Sequence, residues 1–258
     1  MTERRITLDT VKNIRDLGSL ETNDGHHIKM NHLLRSSQLG SAALEDLFIL
    51  NREHRLEQII DLRTYSEVRE NPDNTIESIS VSHLPVIKSF REGISHEKET
   101  DKKAESGSNI NMAELYKRII VEEDTRKNLR EVMMAIFTHD YDAGSVLWHC
   151  TEGKDRCGIV SMLTLLALGV DYSTVLEDYL ITNETNGPKS DAYYQYLVHR
   201  GEDPEKAKIV YDLFMAKDTY LNNAYEPISE YDDIYEFFSQ KLCISRETID
   251  LFRSIILE

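Results

Sequence analysis

One segment near the middle of the chain restricts the fold more than any other. It begins with GSVLWHC over residues 144–150, continues with TEGKDR, and ends with GIVSMLTLLALG over residues 158–169. The first part is a short β-prone apolar run, as expected for a buried strand. The last part is apolar on almost every face and ends at Gly169, which predicts a helix buried on all sides with a glycine C-cap. The segment therefore predicts a strand, a tight loop and a buried helix.

A second apolar run has the same form. LEQIIDLR, over residues 56–63, has its apolar centre at Ile59 and Ile60 and ends in charged groups. The carboxyl ends of neighbouring parallel strands open into one crevice, which is the usual ligand site of an open α/β sheet. We therefore expect Asp61 to lie near the loop that follows residue 149.

Charge and cysteine content limit the classes of partner and compartment. The chain has 30 Lys plus Arg against 46 Asp plus Glu, a net charge of −16, which argues against nucleic acid and against constitutive binding to an anionic membrane. No apolar stretch approaches the roughly 18 residues of a membrane helix or forms a signal peptide. Three cysteines are too few for a secreted disulfide framework. We expect one domain over residues 1–258, monomeric and cytoplasmic, although leaderless secretion stays open.

The loop carries the residues of an anion site with a nucleophile. Cys150 ends the strand and Arg156 stands six positions later, at the start of the buried helix. A loop of this length can point its backbone N–H groups inward at the positive helix end, and Gly153 allows the tight conformation. The fork of Arg156 suits a phosphate, and the same positive field favours the Cys150 thiolate.

This arrangement predicts phosphoryl transfer to sulfur. The Cys150 thiolate would attack phosphorus and release an alcohol or phenol, and water would then hydrolyse the phosphocysteine, with no metal required. The leaving oxygen needs a proton, for which Asp155 is the nearest general acid and Asp61 the second candidate.

Three other classes of protein could carry a similar loop. A nucleotide-binding loop is disfavoured, because Lys154 is followed by Asp155 instead of Ser or Thr and no glycine stands five residues before Gly153. A thiol redox protein is disfavoured by the absence of a C-x-x-C pair. A non-catalytic protein that binds a phosphorylated ligand in the same pocket is the alternative, although both the cysteine and the arginine of the chemistry are present.

The loop and its surroundings resemble a known family. HCTEGKDRCG resembles the HCxxGKDR(T/S)G signature of atypical bacterial tyrosine and dual-specificity phosphatases, whose members act on phosphotyrosine and phosphoinositides. The similarity extends to residues 13–39, to DLRTYSEVRENPD over residues 61–73, to EDYLITN and to the closing ETIDLFRSIILE. It implies a cysteine-phosphatase α/β fold, with a central, mostly parallel sheet flanked by helices and a helical lid over residues 189–220.

The resemblance also implies roles for individual residues. Cys150 would be the nucleophile, Arg156 the phosphate binder and Asp155 the acid, while Lys154 would contact further phosphate or acidic groups. The candidate substrate contacts are Thr151, Glu152, Gly153, Lys154, Cys157, Asp61 and Arg63. Arg15, Asp16 and Arg35 resemble buried structural charges that join the N-terminal segment to the core. The substrate would be a phosphorylated protein or a phosphoinositide, and neither a metal nor a cofactor is implied.

Two positions depart from the family pattern. Glu152 replaces a small residue, and its charge would weaken attraction for highly phosphorylated head groups if it faced inward. Cys157 replaces the Thr or Ser after the arginine, and a thiol is a weaker donor than a hydroxyl. We hypothesise that Cys157 slows hydrolysis of the phosphocysteine or pairs with Cys150 under oxidation. An apolar replacement without either role is the alternative, and mass spectrometry after mild peroxide would decide, because sulfinic acid on Cys150 without a linked peptide excludes protection.

Overall fold

The structure, a computed structural model, describes residues 4–88 and 111–258. Within them one sheet has the strand order β1-β2-β5-β3-β4, and only β1 runs antiparallel to its neighbour. The predicted mostly parallel sheet is therefore confirmed. The strands are β1 (Arg15–Asp16), β2 (Leu33–Ser36), β3 (Leu56–Asp61), β4 (Ser80–His83) and β5 (Ser145–His149).

Helices cover both faces of this sheet, because side chains alternate between the faces along each strand. Ile60 and Trp148, paired across β3 and β5, face the larger apolar core, whereas Ile59 and Leu147 face a smaller one. The helices are α1 (Leu44–Glu53), α2 (Tyr65–Glu70), α3 (Met112–Val121), α4 (Glu123–Phe137), α5 (Asp155–Leu168), α6 (Tyr172–His199), α7 (Pro204–Phe214), α8 (Asp218–Ser229), α9 (Ile234–Leu242) and α10 (Arg246–Ile256).

The predicted strand, loop and buried helix are confirmed. β5 lies between β2 and β3, and all five of its residues are buried. Every residue of α5 except Leu166 is buried, and the helix ends at Gly169 in the left-handed conformation with φ of 86°. The helix begins at Asp155, three residues before the predicted start, so that Arg156 belongs to its first turn.

The helices that follow differ from the sequence-based prediction. VDYSTVLEDYLITNE, over residues 170–184, predicts a helix capped by Asp171 or Ser173; the Asp171 side chain caps α6, but the helix continues through Pro188 to His199. EKAKIVYDLFMAKDTYL, over residues 205–221, predicts one helix, but the structure divides it between α7 and α8. Side chains of α6 explain the division. Asn183 exchanges two hydrogen bonds with the backbone of Ala216, and Asn186 donates to the carbonyl of Phe214.

Two further predictions concern the polar segment after β4 and the presence of membrane-spanning helices. Residues 88–109 are polar and almost without large apolar groups, which predicts a surface excursion, and this segment lies almost entirely outside the described residues. No helix within residues 4–88 and 111–258 has the length and apolar character needed to cross a membrane.

Candidate active site

The loop of residues 150–154 is held from behind by side chains of the N-terminal segment and β2. Asn13 Nδ2 donates to the carbonyls of Glu152 and Gly153 at 3.0 and 3.1 Å, and Arg35 Nη2 donates to Gly153 O at 2.9 Å. Because C=O and N–H point in opposite directions across a trans peptide, the following amides face away from these side chains. The geometry thus matches the predicted inward-facing amide loop.

Gly153 is required for this conformation on two grounds. Its φ is 66°, a region that L side chains rarely adopt, and a Cβ there would lie 2.5 Å from the backbone oxygen of Ser36. The loop can therefore lie directly against the end of β2.

The Cys150 thiol, at the end of β5, is almost completely buried. Burial alone would raise its pKa, but the hydrogen bond from the Cys157 thiol, the charge of Arg156 and the backbone N–H of Cys157 outweigh burial and lower the pKa to about 6. The thiolate is therefore favoured at neutral pH. Burial and the neighbouring Cys150 raise the pKa of Cys157, so Cys157 stays protonated, and its thiol also lies within hydrogen-bond distance of the carbonyls of Ser36 and Trp148, at 3.6 and 3.5 Å.

Arg156 is oriented by a residue that sequence reasoning did not single out. Its Nη1 and Nη2 donate to the two carboxylate oxygens of Glu67 at 2.7 and 2.8 Å, and Thr151 Oγ1 donates to Glu67 Oε1 at 2.5 Å. Burial would raise the pKa of Glu67, but Arg156 and Thr151 lower it to about 2. The available signal was the T-x-x-E capping box formed by Thr64 and Glu67 at the start of α2. That pattern locates a helix start but does not identify the partner of Arg156.

Asp155 is the first residue of α5 and lies in a buried polar cluster. Tyr116 of α3 donates its hydroxyl to Asp155 Oδ1 at 2.6 Å and lies 2.8 Å from the hydroxyl of Tyr179. Burial and Asp155 raise the pKa of Tyr116 well above its ordinary value, so its hydroxyl stays a donor. Lys154 Nζ also lies 3.3 Å from Asp155 Oδ1.

Lys154 and Glu152 connect the loop to the predicted lid over residues 189–220. Lys154 Nζ donates to the carbonyl of Leu213, at the end of α7, and lies 5.9 Å from the centre of the Tyr220 ring. Glu152 pairs with Lys189 of α6 at 2.6 Å. The structure thus directs the Lys154 ammonium toward a helix end and compensates the charge of Glu152.

Asp61 and Arg63 belong to a second buried group, here called the Arg63 network, which also includes Asp73 and His149. Arg63 Nη2 lies 2.8 Å from both Asp61 Oδ2 and Asp73 Oδ1, and His149 Nε2 lies 2.8 Å from Asp73 Oδ2. Burial would raise the pKa of Asp61, but hydrogen bonds from Arg63 and the charge of His149 lower it. The network lies beside Cys150, because His149 directly precedes that residue in the chain.

The Arg63 network also contains the one group of three potential metal ligands found among the described residues. Asp61, Asp73 and His149 offer ligand atoms within 4.8 Å of one another. Both carboxylates already accept hydrogen bonds from the Arg63 guanidinium, which supplies the positive charge that a metal would bring.

On the other side of the loop, Arg15 and Arg35 are buried, as expected for structural charges. Both pair with Asp178 of α6, as does Arg4, and these four residues are here called the Asp178 cluster. Asp16 is also buried, and its carboxylate accepts from the backbone N–H groups of Gly18 and Asn31.

Comparisons with known sequences find relatives that are named as phosphatases. A "Putative tyrosine-protein phosphatase" of Cupriavidus necator is 26% identical over 181 residues, which span 70% of this chain and 64% of that protein. The "Triple specificity protein phosphatase PtpB" of Mycobacterium tuberculosis is 25% identical over 277 residues, covering 95% of this chain and 96% of that protein.

A solved structure with partial similarity is TpbA of P. aeruginosa, which is 15% identical with a TM-score of 0.34 and covers 72% of this chain and 90% of its own. The sequence model of the tyrosine phosphatase family matches residues 6–258. The chain belongs to the tyrosine phosphatase family.

Proposed function

We propose that this chain hydrolyses phosphate monoesters, phosphotyrosine first among them, through a phosphocysteine on Cys150. The observation that carries the proposal is the placement of the buried Cys150 thiol at the start of a loop that leads into the first turn of α5, where Cys157 and Arg156 lower its pKa to about 6. A buried thiolate is stabilised there by the same groups that would bind a phosphate dianion.

The residues around Cys150 support a two-step reaction. The thiolate forms a bond to phosphorus while the bond between phosphorus and the leaving oxygen breaks. Water then attacks phosphorus, the S–P bond breaks, and inorganic phosphate leaves with the thiolate restored. The loop amides and Arg156, oriented by Glu67, would stabilise the charge on the phosphoryl oxygens in both steps.

Asp155 remains the proposed general acid. Asp61 is a poor proton donor, because two nitrogens of Arg63 bind its carboxylate and its pKa is lowered. Asp155 stands in the same turn as Arg156, where Tyr116 and Lys154 orient its carboxylate. It would protonate the leaving phenolate in the first step and accept a proton from water in the second.

The substrate preference is proposed from the charges at the loop. Lys154 is directed at Leu213 and Glu152 is paired with Lys189, so neither enlarges the positive region that a polyphosphorylated head group requires. This arrangement favours the single phosphate of phosphotyrosine over a phosphoinositide. Phosphoserine and phosphothreonine are secondary candidates, in keeping with the triple specificity named for the mycobacterial relative.

The domain organisation, oligomeric state and compartment are proposed from sequence features alone. We propose a single-domain, monomeric, cytoplasmic enzyme, in keeping with its cysteine usage and with its net charge of −16. The helical segment over residues 189–220 is the proposed lid, because Lys154 and Lys189 join it to the loop.

Hydrolysis of p-nitrophenyl phosphate, without metal and with reductant, tests the proposal. The wild type should be active and inhibited by orthovanadate, and Cys150→Ser should lose at least about a thousandfold in kcat. Cys243→Ser, at a cysteine far along the chain in the turn after α9, is the matched control and should keep wild-type activity. Phosphate binding without turnover in the wild type would instead support the non-catalytic binding protein.

A further inference from the structure

A cavity of about 480 Å³ lies between the N-terminal residues 4–15 and the middle of α6. Its volume falls in the range of small-molecule sites. Four cations line it, Arg4, Arg5, Lys12 and Arg15, against one carboxylate, Glu184. Apolar side chains, including Ile6, Leu8 and Ile181, form the rest of the wall. In a chain with a net charge of −16, such a concentration of cations is local.

Two of the four cations make only weak contacts within the chain. Arg5 pairs with Glu184 at 3.1 Å, but both side chains are more than half exposed, so the pair is weak. Lys12 contacts the carbonyl of Asp9 at the surface. Because Arg5 and Lys12 lie at the surface, the ligand class is determined by the buried end of the cavity, where Arg4 and Arg15 lie.

The buried end belongs to the Asp178 cluster, in which three guanidiniums share one carboxylate. Arg4, Arg15 and Arg35 lie 3.0, 3.1 and 3.1 Å from the oxygens of Asp178. Their side chains are only 11, 4 and 1% exposed, so the excess positive charge is removed from water.

The hydrogen bonds of the cluster are also incomplete. Arg4 Nη1 and Arg35 Nε are two of the three buried side-chain polar atoms without a partner in residues 4–88 and 111–258. Burial and the like charge of Arg15 lower the pKa of Arg35. A buried donor without an acceptor costs free energy, and buried donors are usually satisfied. Arg4 lines the cavity, so an anion bound there would lie beside a guanidinium whose hydrogen bonds are incomplete.

We propose that this cavity binds a small organic anion, with a carboxylate or phosphate head group against Arg4 and Arg15 and a short apolar body along Ile6, Leu8 and Ile181. The site is separate from the pocket at Cys150 and does not depend on the proposed function. Its wall supports the catalytic loop, because Arg15 donates to Asn13 at 2.8 Å and Asn13 donates to the carbonyls of Glu152 and Gly153. An anion in the cavity therefore contacts the residues that support the loop from behind.

Calorimetric titration of the whole chain with hexylphosphonate, in saturating orthovanadate, tests the proposal. Vanadate occupies the Cys150 pocket, and we expect one binding site per chain to remain. Arg4→Gln removes the unpaired donor and Thr185→Trp fills the cavity without changing a charge. Each should weaken binding at least about tenfold, whereas Arg130→Gln, at an exposed position of α4, should bind as the wild type does. Hexanoate in a parallel titration distinguishes a carboxylate from a phosphate head group.

Absence of a remaining site for either probe, or binding that both variants leave unchanged, would overturn the proposal. Thermal unfolding confirms that each variant is folded, and Thr185→Trp decides the question if Arg4→Gln is not. The proposed function is tested separately. A wild type that binds hexylphosphonate with the expected variant pattern but does not hydrolyse p-nitrophenyl phosphate would refute the phosphatase and leave this site intact.

Discussion

The Arg63 network and the Asp178 cluster are both buried beside the catalytic loop, but their charges differ. In the Arg63 network, two carboxylates and a histidine surround one guanidinium, and the charges nearly balance. In the Asp178 cluster, three guanidiniums surround one carboxylate. The balanced group fixes His149, the residue before the nucleophile. The cation-rich group adds positive potential, and the attraction between Arg35 and Cys150 stabilises both charges. The buried ions on one side of the loop thus position His149, and those on the other side supply positive charge.

The largest expected effect comes from replacing one carboxylate in each of the two groups. Asp178→Asn leaves three buried guanidiniums without a carboxylate and should lower the free energy of unfolding by about 3–5 kcal/mol. Asp73→Asn should cost about 1–2 kcal/mol, because Arg63 keeps its contacts to Asp61. Urea denaturation measures both. Equal losses would contradict the charge difference between the two groups.

A second comparison concerns Glu67. Its carboxylate neutralises the charge of Arg156, as the carboxylates of the Arg63 network neutralise the charge of Arg63. Glu67→Gln removes the paired carboxylate that orients Arg156 and should lower kcat/KM for p-nitrophenyl phosphate about a hundredfold. Glu53→Gln, at the exposed end of α1, is the control and should be silent. Activity within twofold of the wild type in Glu67→Gln would mean that Arg156 is oriented by other groups.

A smaller effect is expected from the donor to the nucleophile. With a Cys150 pKa of about 6, kcat/KM should fall tenfold per pH unit below about pH 6, as the thiolate is protonated. Cys157→Ala removes a hydrogen bond that lowers this pKa, so the acid limb should move to higher pH. Cys157→Ser keeps a donor and should restore the wild-type profile. Identical pH profiles for Cys157→Ala and the wild type would show that Cys157 does not lower the pKa of Cys150.

The smallest expected effect is a pH dependence of stability that differs between the two groups. Burial would lower the pKa of His149, but Asp73 raises it above the unfolded value. Its stabilisation is therefore complete below about pH 6.5 and is lost as pH rises through the raised pKa. The difference in unfolding free energy between wild type and Asp73→Asn should shrink from pH 6 to pH 9.

The Asp178 cluster should titrate in the opposite direction. Burial would raise the pKa of Asp178, but its three arginines hold the pKa well below the usual range. Its contribution is present above the unfolded pKa, about 3.9, and is lost as pH falls through the folded pKa. The difference between wild type and Asp178→Asn should therefore stay constant from pH 6 to pH 9, and a decline in that range would contradict the pairing.

Part of the fold and of the site follows from local pattern. The run of residues 144–169 predicted β5, the loop and α5, because apolar periodicity and a glycine C-cap act within a few neighbouring residues. The continuation of α6 through Pro188 was missed. The division between α7 and α8 was missed as well, because it depends on hydrogen bonds from Asn183 and Asn186 to residues about 30 positions away, which no local pattern records.

The sequence by itself predicted the nucleophile and the tight turn of its loop, since Cys150, Gly153 and Arg156 lie within seven residues at a single helix start. Only the tertiary structure decided which acids those charges meet. Glu67 reaches Arg156 from α2, and Asp178 reaches Arg15 and Arg35 from α6. The pKa of Cys150 is set by burial in the folded chain together with Cys157 and Arg156, because electrostatic energies in a buried site depend on the surroundings in space.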